Sequence, residues 1–256
     1  MESQLDGGWP QPPTRIPLLE AAPWLGSALT AAESRQASEA LPTVVFRVPA
    51  GHTLFPIPQD LVGLVVTEGL LAARLRISGY TSTVILGSGD MVCACDIEGP
   101  QGSMPEERSV RALTTVTLVA VDHPLLRSCL RWPPVARCLL DCLTQRLRLG
   151  SLSLALHQSP RVEERLWLAL WQLADRFGRV SPSGAVVTLP RVTHRVLAEV
   201  VAVRRPSVTS AMKRLRDSGL VEVTGRHRWL LRQRPEEGLN MLGLARPLAG
   251  SLPPGR

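Results

Sequence analysis

With 256 residues and 45% apolar side chains, the chain can build one or two domains with real cores and is no disordered protein. No apolar run reaches the roughly 18 residues of a membrane-spanning helix. Net charge is +7, and residues 191–234 carry eleven Lys or Arg against three Asp or Glu, so the surplus sits in one segment. A clustered basic surface is the footprint of a polyanion partner. The other reading of such a cluster is a solvated charged face.

Met1–Asp6 show neither a basic nor an apolar signal region, so no secretory leader is expected. The odd number of cysteines, five, suits a reducing cytoplasm better than a disulfide framework. Residues 1–23 are rich in Pro and Gly and read as a mostly disordered arm. Leu25, Leu29 and Ala32 mark one short helix over 24–40, ending before Pro42.

From 43 to 122 short apolar runs alternate with turn signals. Val44–Val48 precedes Pro49-Ala50-Gly51, and Leu61–Thr67 precedes Glu68-Gly69. Leu70–Ile77 precedes Ser78-Gly79, Thr81–Leu86 precedes Gly87-Ser88-Gly89-Asp90, and Val110–Val121 closes the series. This texture predicts a small sandwich, barrel or roll. It contains no catalytic constellation.

Residues 133–158 read as a helix opened by Pro133-Pro134. Ala136, Leu140, Leu143, Leu147, Gly150 and Leu154 recur at alternating steps of four and three, the seam of a coiled coil. A dimer seam and a helix packed on its own domain are both open readings. Ser159-Pro160 then restarts a helix with Ser159 as N-cap, Glu163 and Glu164 in its first turn and Gly178 past its end. Trp167 and Trp171, one turn apart, read as core, as a seat against the β-rich domain or, less readily, as ligand contacts.

The most specific pattern lies at 193–231. Thr193 can cap a helix with the inner face Leu197, Val200 and Val201. After a turn at Ala202–Arg205, Pro206 opens a second helix with the inner face Val208, Ala211, Met212 and Leu215, closed by Gly219. Two short helices on a tight turn are a helix-turn-helix. Ala202 stands where glycine is usual; a positive φ there would cost about 1 kcal/mol relative to Gly. The outer face carries Arg205, Pro206, Ser207, Ser210, Lys213 and Arg214, a polar and cationic surface suited to a major groove. Arg205 is the candidate for a bidentate guanine contact, with Ser207 and Ser210 as shorter base contacts. Thr193, Arg204, Lys213 and Arg214 are candidates for phosphates. Leu220–Val223 and Arg228–Leu231 flank Gly225 as a hairpin, placing Arg226 and Arg228 at a wing tip. Val186–Leu189 can add a strand.

Pro190 to Leu231 resembles the Crp–Fnr family of regulators in its Leu-Pro-x-x-Thr, Leu-Ala, Arg-Arg-Pro-Ser-Val and Gly-Leu-Val segments. The resemblance implies an α+β chain. Over about 41–231 it gives a cyclic-nucleotide-binding-like β-roll at 41–128, a dimerisation helix at 129–158 and a winged helix-turn-helix at 159–234; the arm at 1–40 and a disordered tail at 235–256 are read from their own composition. The resemblance further implies a cytoplasmic homodimer, joined through 133–158, on pseudo-palindromic double-stranded DNA, with RNA polymerase a further candidate partner and Arg205, Pro206 and Ser210 at base-reading positions. Pro206 and Ser210 depart from the charged residues common there.

At the sensor end, Glu107-Arg108-Ser109 looks like the family's cyclic-phosphate pair, but Gly89-Asp90 has no clear glutamate counterpart and the spacing runs about two residues short. Arg108 and Ser109 are thus effector candidates for a cyclic nucleotide, set against a charged loop tip. The cysteines lack the close N-terminal spacing of a cluster site, and His52 and His123 match haem ligands by residue type alone. Three function classes follow: an effector-responsive regulator, an effector-independent DNA-binding regulator with a degenerate sensor, and a non-DNA cyclic-nucleotide module. No nucleophile–base pair or phosphate loop points to an enzyme.

Overall fold

The computed structural model describes residues 13–54, 61–97, 103–181 and 184–243. The chain divides into two compact units, Met1–Ala155 and Leu156–Arg256. Each is described by itself.

The first unit opens with β1 (Thr14–Pro17), α1 (Leu18–Ala21), a 3-10 turn at Pro23–Gly26 and α2 (Ala31–Ala40). The single helix expected over 24–40 is thus two pieces. Thr30 explains the break, because it forms a reciprocal capping box with Glu33 and starts α2 afresh. Residues 13–23, expected as part of a disordered arm, are held by pairing of β1 with β2 and by burial of Leu18 and Leu19. The rest of that arm lies outside the described residues.

Seven strands follow: β2 (Pro42–Val48), β3 (Leu61–Glu68), β4 (Leu71–Ile77), β5 (Tyr80–Leu86), β6 (Met91–Cys93), β7 (Glu106–Ala112) and β8 (Val116–Asp122). They form one sheet in the order β1-β2-β8-β3-β6 and another in the order β5-β4-β7. The run Val110–Val121 is interrupted, because Leu113 and Thr114 turn back onto the Leu70 carbonyl. Strands β3 and β8 are apolar without alternation because both their faces are covered. Leu64, Val66, Leu118 and Ala120 enter a core with Phe46, Leu71, Leu86 and Val110. Val65, Val119 and Val121 face a second core with Leu18, Leu25, Leu125, Trp132 and Leu139. That second core takes in α3 (His123–Cys129) and the start of α4 (Pro133–His157).

In the second unit α5 (Val162–Phe177) packs Leu166, Trp167, Leu170, Trp171 and Leu173 inward. Its start differs from the expected Ser159-Pro160. Arg161 is the N-cap, while the Ser159 hydroxyl donates to Glu164 at 2.5 Å. Gly178 ends α5 in an extended conformation, φ −101°, and not in the left-handed cap. Glycine is needed there for space, since a Cβ would sit 2.6 Å from the Ala174 carbonyl oxygen and 2.8 Å from that of Val186.

After β9 (Arg179–Ser181) and β10 (Gly184–Thr188) come α6 (His194–Val200), α7 (Arg205–Asp217), β11 (Val221–Gly225), β12 (Arg228–Arg232) and α8 (Pro235–Met241). The four strands order as β11-β12-β10-β9. Residues 235–241, grouped by sequence with a disordered tail, form a helix. Pro235 starts it, Glu237 returns to the Arg234 N–H, and Gly238 lies against the Trp167 ring. Residues 244–256 lie outside the described residues. Trp167 and Trp171 meet edge to face at 5.9 Å within this unit's core.

Candidate nucleic-acid interface

The helix pair is fixed by its caps and its inner face. Thr193 caps α6 by accepting the Val196 N–H, as its position suggested. Leu197, Ala198, Val200, Val208, Ala211, Met212 and Leu215 are buried. Ala198 is buried, and its carbonyl accepts the Val203 N–H at 2.9 Å, tying the turn to α6. Ala202 adopts φ +52°, so the turn does use the left-handed region with an alanine in it. Helix α7 begins at Arg205, one residue before the proline expected to open it, with Arg204 as N-cap.

With the inner face committed to the core, Arg205, Pro206, Thr209, Ser210 and Lys213 are exposed along one stripe of α7. Arg204 is exposed at its N-cap, and Ser207 is half-buried. Arg214 is exposed but forms an ion pair with Glu163 of α5, so its charge is partly neutralised within the protein. Its expected role on phosphate is weakened accordingly.

The hairpin turn is two residues, Arg226 and His227, between paired Gly225 and Arg228. Its left-handed position falls on His227, φ +59°, and not on the neighbouring glycine. The imidazole accounts for this: its Nδ1 donates to the Val192 carbonyl at 3.0 Å, and the His227 carbonyl accepts the Leu189 N–H at 2.9 Å. These bonds pin the wing tip to the segment before α6. Arg226 and Arg228 are exposed there.

Between wing and helices lies an open groove of about 540 Å³, lined among others by Thr193, His194, Arg195, Arg205, Arg226 and His227. Three of these six are arginines. Thr209, His194 and Arg195 had no assigned role in the sequence reading. Thr209 donates to the Arg205 carbonyl at 3.2 Å, which leaves its oxygen to accept from His194 Nδ1 at 3.2 Å. Burial, together with the positive charge of Arg205, holds the His194 pKa below its ordinary value. This ring therefore braces the first turn of α7 from α6. The spacing of His194 and Thr209, fifteen residues apart across two helices, gave no signal by itself.

The first unit holds a separate cavity of about 250 Å³. It lies between the inner face of β4, β5 and β7 (Ala73, Leu75, Val84, Arg108), Asp96 of the 3-10 turn Ala94–Asp96, and Arg146, Gly150 and Leu154 of α4. Arg108 lines this cavity from strand β7, not from a loop tip. Ser109 is the next residue on the strand and points to the opposite face, so the expected pair does not converge. Arg108 is also engaged: Nε and Nη2 donate to the two Glu106 oxygens at 3.1 and 3.0 Å, and Nη1 donates to the Cys95 carbonyl at 2.8 Å. The bond to Glu106 raises the arginine pKa further.

Residues 164–237 match the family described as the Crp-like helix-turn-helix domain. The chain is 29% identical over 185 residues to the CRP-like cAMP-activated global transcriptional regulator of Mycobacterium tuberculosis (strain CDC 1551 / Oshkosh), covering 70% of this chain and 80% of that one. It is 27% identical over 207 residues to the regulatory protein CysR of Synechococcus elongatus, covering 78% and 93%. In fold it is similar to FixK2 from Bradyrhizobium japonicum, with a TM-score of 0.60 at 17% identity, covering 81% of this chain and 99% of that one. A CooA mutant from Carboxydothermus hydrogenoformans gives 0.62 at 17% identity, covering 83% and 91%.

Proposed function

For this chain, a transcription regulator of the Crp–Fnr family, we propose sequence-specific binding to double-stranded DNA as a homodimer, with α7 in the major groove and the wing on the adjoining backbone. The observation that carries this reading is the exposed stripe of α7 beside a groove shared with Arg226. Arg205 reads a base edge, with Pro206, Ser207 and Ser210 lining the contact. Arg204, Lys213, Thr193, Arg226 and Arg228 serve the phosphates.

The homodimer reading rests on α4. Leu140, Leu147 and Leu154 are 60%, 75% and 69% exposed on one seam, an arrangement that a second copy would cover. A two-fold dimer reads a pseudo-palindromic site. Such a protein works where DNA is, in the cytoplasm, and as an activator would meet RNA polymerase. No helix among the described residues is long and apolar enough to cross a membrane.

The Mycobacterium relative is described as cAMP-activated; in this chain an effector such as a cyclic nucleotide would enter the cavity beside Arg108. A second reading, regulation without a nucleotide, is favoured by one observation: Glu106 already occupies the Arg108 guanidinium as a phosphate would. Selection of duplexes from a random pool, followed by titration at several salt concentrations, tests the proposal. The expected result is a symmetric motif with half-sites about one helical turn apart and affinity that falls steeply with salt. Binding without an enriched motif would overturn sequence-specific regulation. A cyclic AMP titration followed by thermal unfolding separates the two effector readings.

A further inference from the structure

Arg108 is a cation of the first unit's cavity, and its partner comes from its own strand. Residues two apart on a strand share a face, so Glu106 and Arg108 of β7 point the same way. Arg108 Nε and Nη2 donate to separate Glu106 oxygens at 3.1 and 3.0 Å, a two-point fork. The pair is enclosed, with the glutamate side chain 12% exposed and the arginine 26%. Glu107 lies on the opposite face and pairs with Arg76 of β4 instead. Of the two neighbouring glutamates, only Glu106 therefore reaches the cavity arginine.

The register shows where this carboxylate stands. Arg108, Leu75 and Ser82 form one row across β7, β4 and β5, and all three line the cavity. Glu106, Ile77 and Tyr80 form the next row of that face, at the hairpin end of β4 and β5. The carboxylate thus approaches the guanidinium from the end of the cavity wall. Two parallel N–H groups on one oxyanion are what a ligand's phosphate or carboxylate would receive from an arginine.

The remaining contacts of Arg108 lead to the helix. Its Nη1 donates to the Cys95 carbonyl at 2.8 Å, within the turn Ala94–Asp96. The next residue, Asp96, accepts from Nε of Arg146 on α4 at 3.3 Å and from its Nη2. An Asp96 oxygen also accepts the Cys93 N–H at 3.0 Å, which holds the turn in shape. A continuous run of polar contacts therefore leads from β7 through the turn to α4, and Glu106 stands at its start.

We propose that Glu106 is a resident ligand: its carboxylate fills a site on Arg108 for a compact oxyanion, carboxylate or phosphate, and completes within the chain the contacts to α4 that a bound anion would otherwise complete. The inference rests on the effector-cavity reading above and deepens its nucleotide-free branch. In the parent, an added anion finds the donors of Arg108 engaged and gains no fork. In Glu106→Ala those donors face a space the size of a carboxylate, and an anion from solution takes it.

The test is thermal unfolding of the full chain, in parent and Glu106→Ala, titrated with sodium acetate, inorganic phosphate or cyclic AMP against sodium chloride at matched ionic strength. Glu106→Ala is expected to melt below the parent and to recover saturably with at least one of the three anions. Its apparent affinity for that anion should exceed the parent's about tenfold or more, as hydrogen bonds to a charged group imply. Adding Arg108→Ala should abolish the recovery. Glu106→Gln keeps the shape without the charge and, if the alanine variant fails to fold, is judged by the same criteria. Three results would each overturn the assignment: a parent stabilised as much as the variant, a folded variant that answers to none of the anions, or a recovery that survives loss of Arg108. Stabilisation of the parent by cyclic AMP would restore the nucleotide reading. An unresponsive variant beside an unresponsive parent would leave nucleotide-free regulation standing without Glu106 as its cause. DNA binding is not read in this experiment, so the two fail separately.

Discussion

Asp96 and Arg146, fifty residues apart, are joined by two hydrogen bonds, Nε to Oδ2 at 3.3 Å and a shorter one from Nη2 to Oδ1. The carboxylate is 6% exposed and the guanidinium 20%. A pair this enclosed is a liability when halved, because the remaining charge stays buried. Arg146→Ala is therefore expected to destabilise the first unit by about 3 kcal/mol. A thermal midpoint within a degree of the parent would mean that water reaches Asp96 freely.

The DNA interface makes a graded prediction. Arg205→Ala should weaken binding to the selected operator by about 1–3 kcal/mol and relax preference at one base pair. Lys213→Ala should weaken all duplexes alike and reduce the salt slope by about one. Arg214→Ala should change that slope less than Lys213→Ala, since Glu163 already neutralises part of its charge. Equal slopes for the two variants would show that the Glu163 pair opens on DNA.

Ala202 offers a gain of stability. Its φ of +52° strains an L residue, and Gly would relieve the strain while losing more freedom on folding. Ala202→Gly should raise the second unit's stability by about 0.5–1 kcal/mol, seen as a few degrees in its melting midpoint. A loss would mean that the Ala202 methyl packs usefully.

The seam of α4 predicts oligomeric state. Leu147 is 75% exposed in a single chain, so Leu147→Asp should leave the fold intact and disrupt a dimer. Sedimentation equilibrium of parent and variant decides it; two monomers, or two equal dimers, would remove the seam from the account.

His194 sets a pH dependence. Its folded pKa lies below the unfolded value near 6.5, so the unfolded chain binds more protons in that window. Stability of the second unit should rise with pH up to about 6.5 and be flat above it. His194→Asn should flatten the rise; an unchanged profile would locate the titration elsewhere.

Much of the second unit was legible in the sequence because its signals are local. Thr193 and Gly219 bracket the helix pair, Val208, Ala211, Met212 and Leu215 keep helical spacing, and Gly225 marks the hairpin. What escaped depends on contacts distant in sequence. His227 takes the left-handed position because a carbonyl 35 residues away receives its ring proton. Arg214 looked like a phosphate ligand because Glu163 lies on another helix. Arg108 and Ser109 looked like a pair because adjacency in sequence hides opposite faces of a strand. The apolar runs of β3 and β8 marked them as strands, but the covering of both faces emerges only with α1, α3 and α4 in place.

The short helix α8 bears on how the second unit can be cut out for study. The Trp167 indole donates to the Pro235 carbonyl at 3.1 Å, and Gly238 lies so close that any Cβ would fall 2.6 Å from the ring. A fragment ending with the wing at Arg232 would carry every DNA-facing residue named above, yet would strip the cover from a fully buried tryptophan of its core. Its poor solubility would then report on a bared indole, and the serviceable boundary lies beyond Met241.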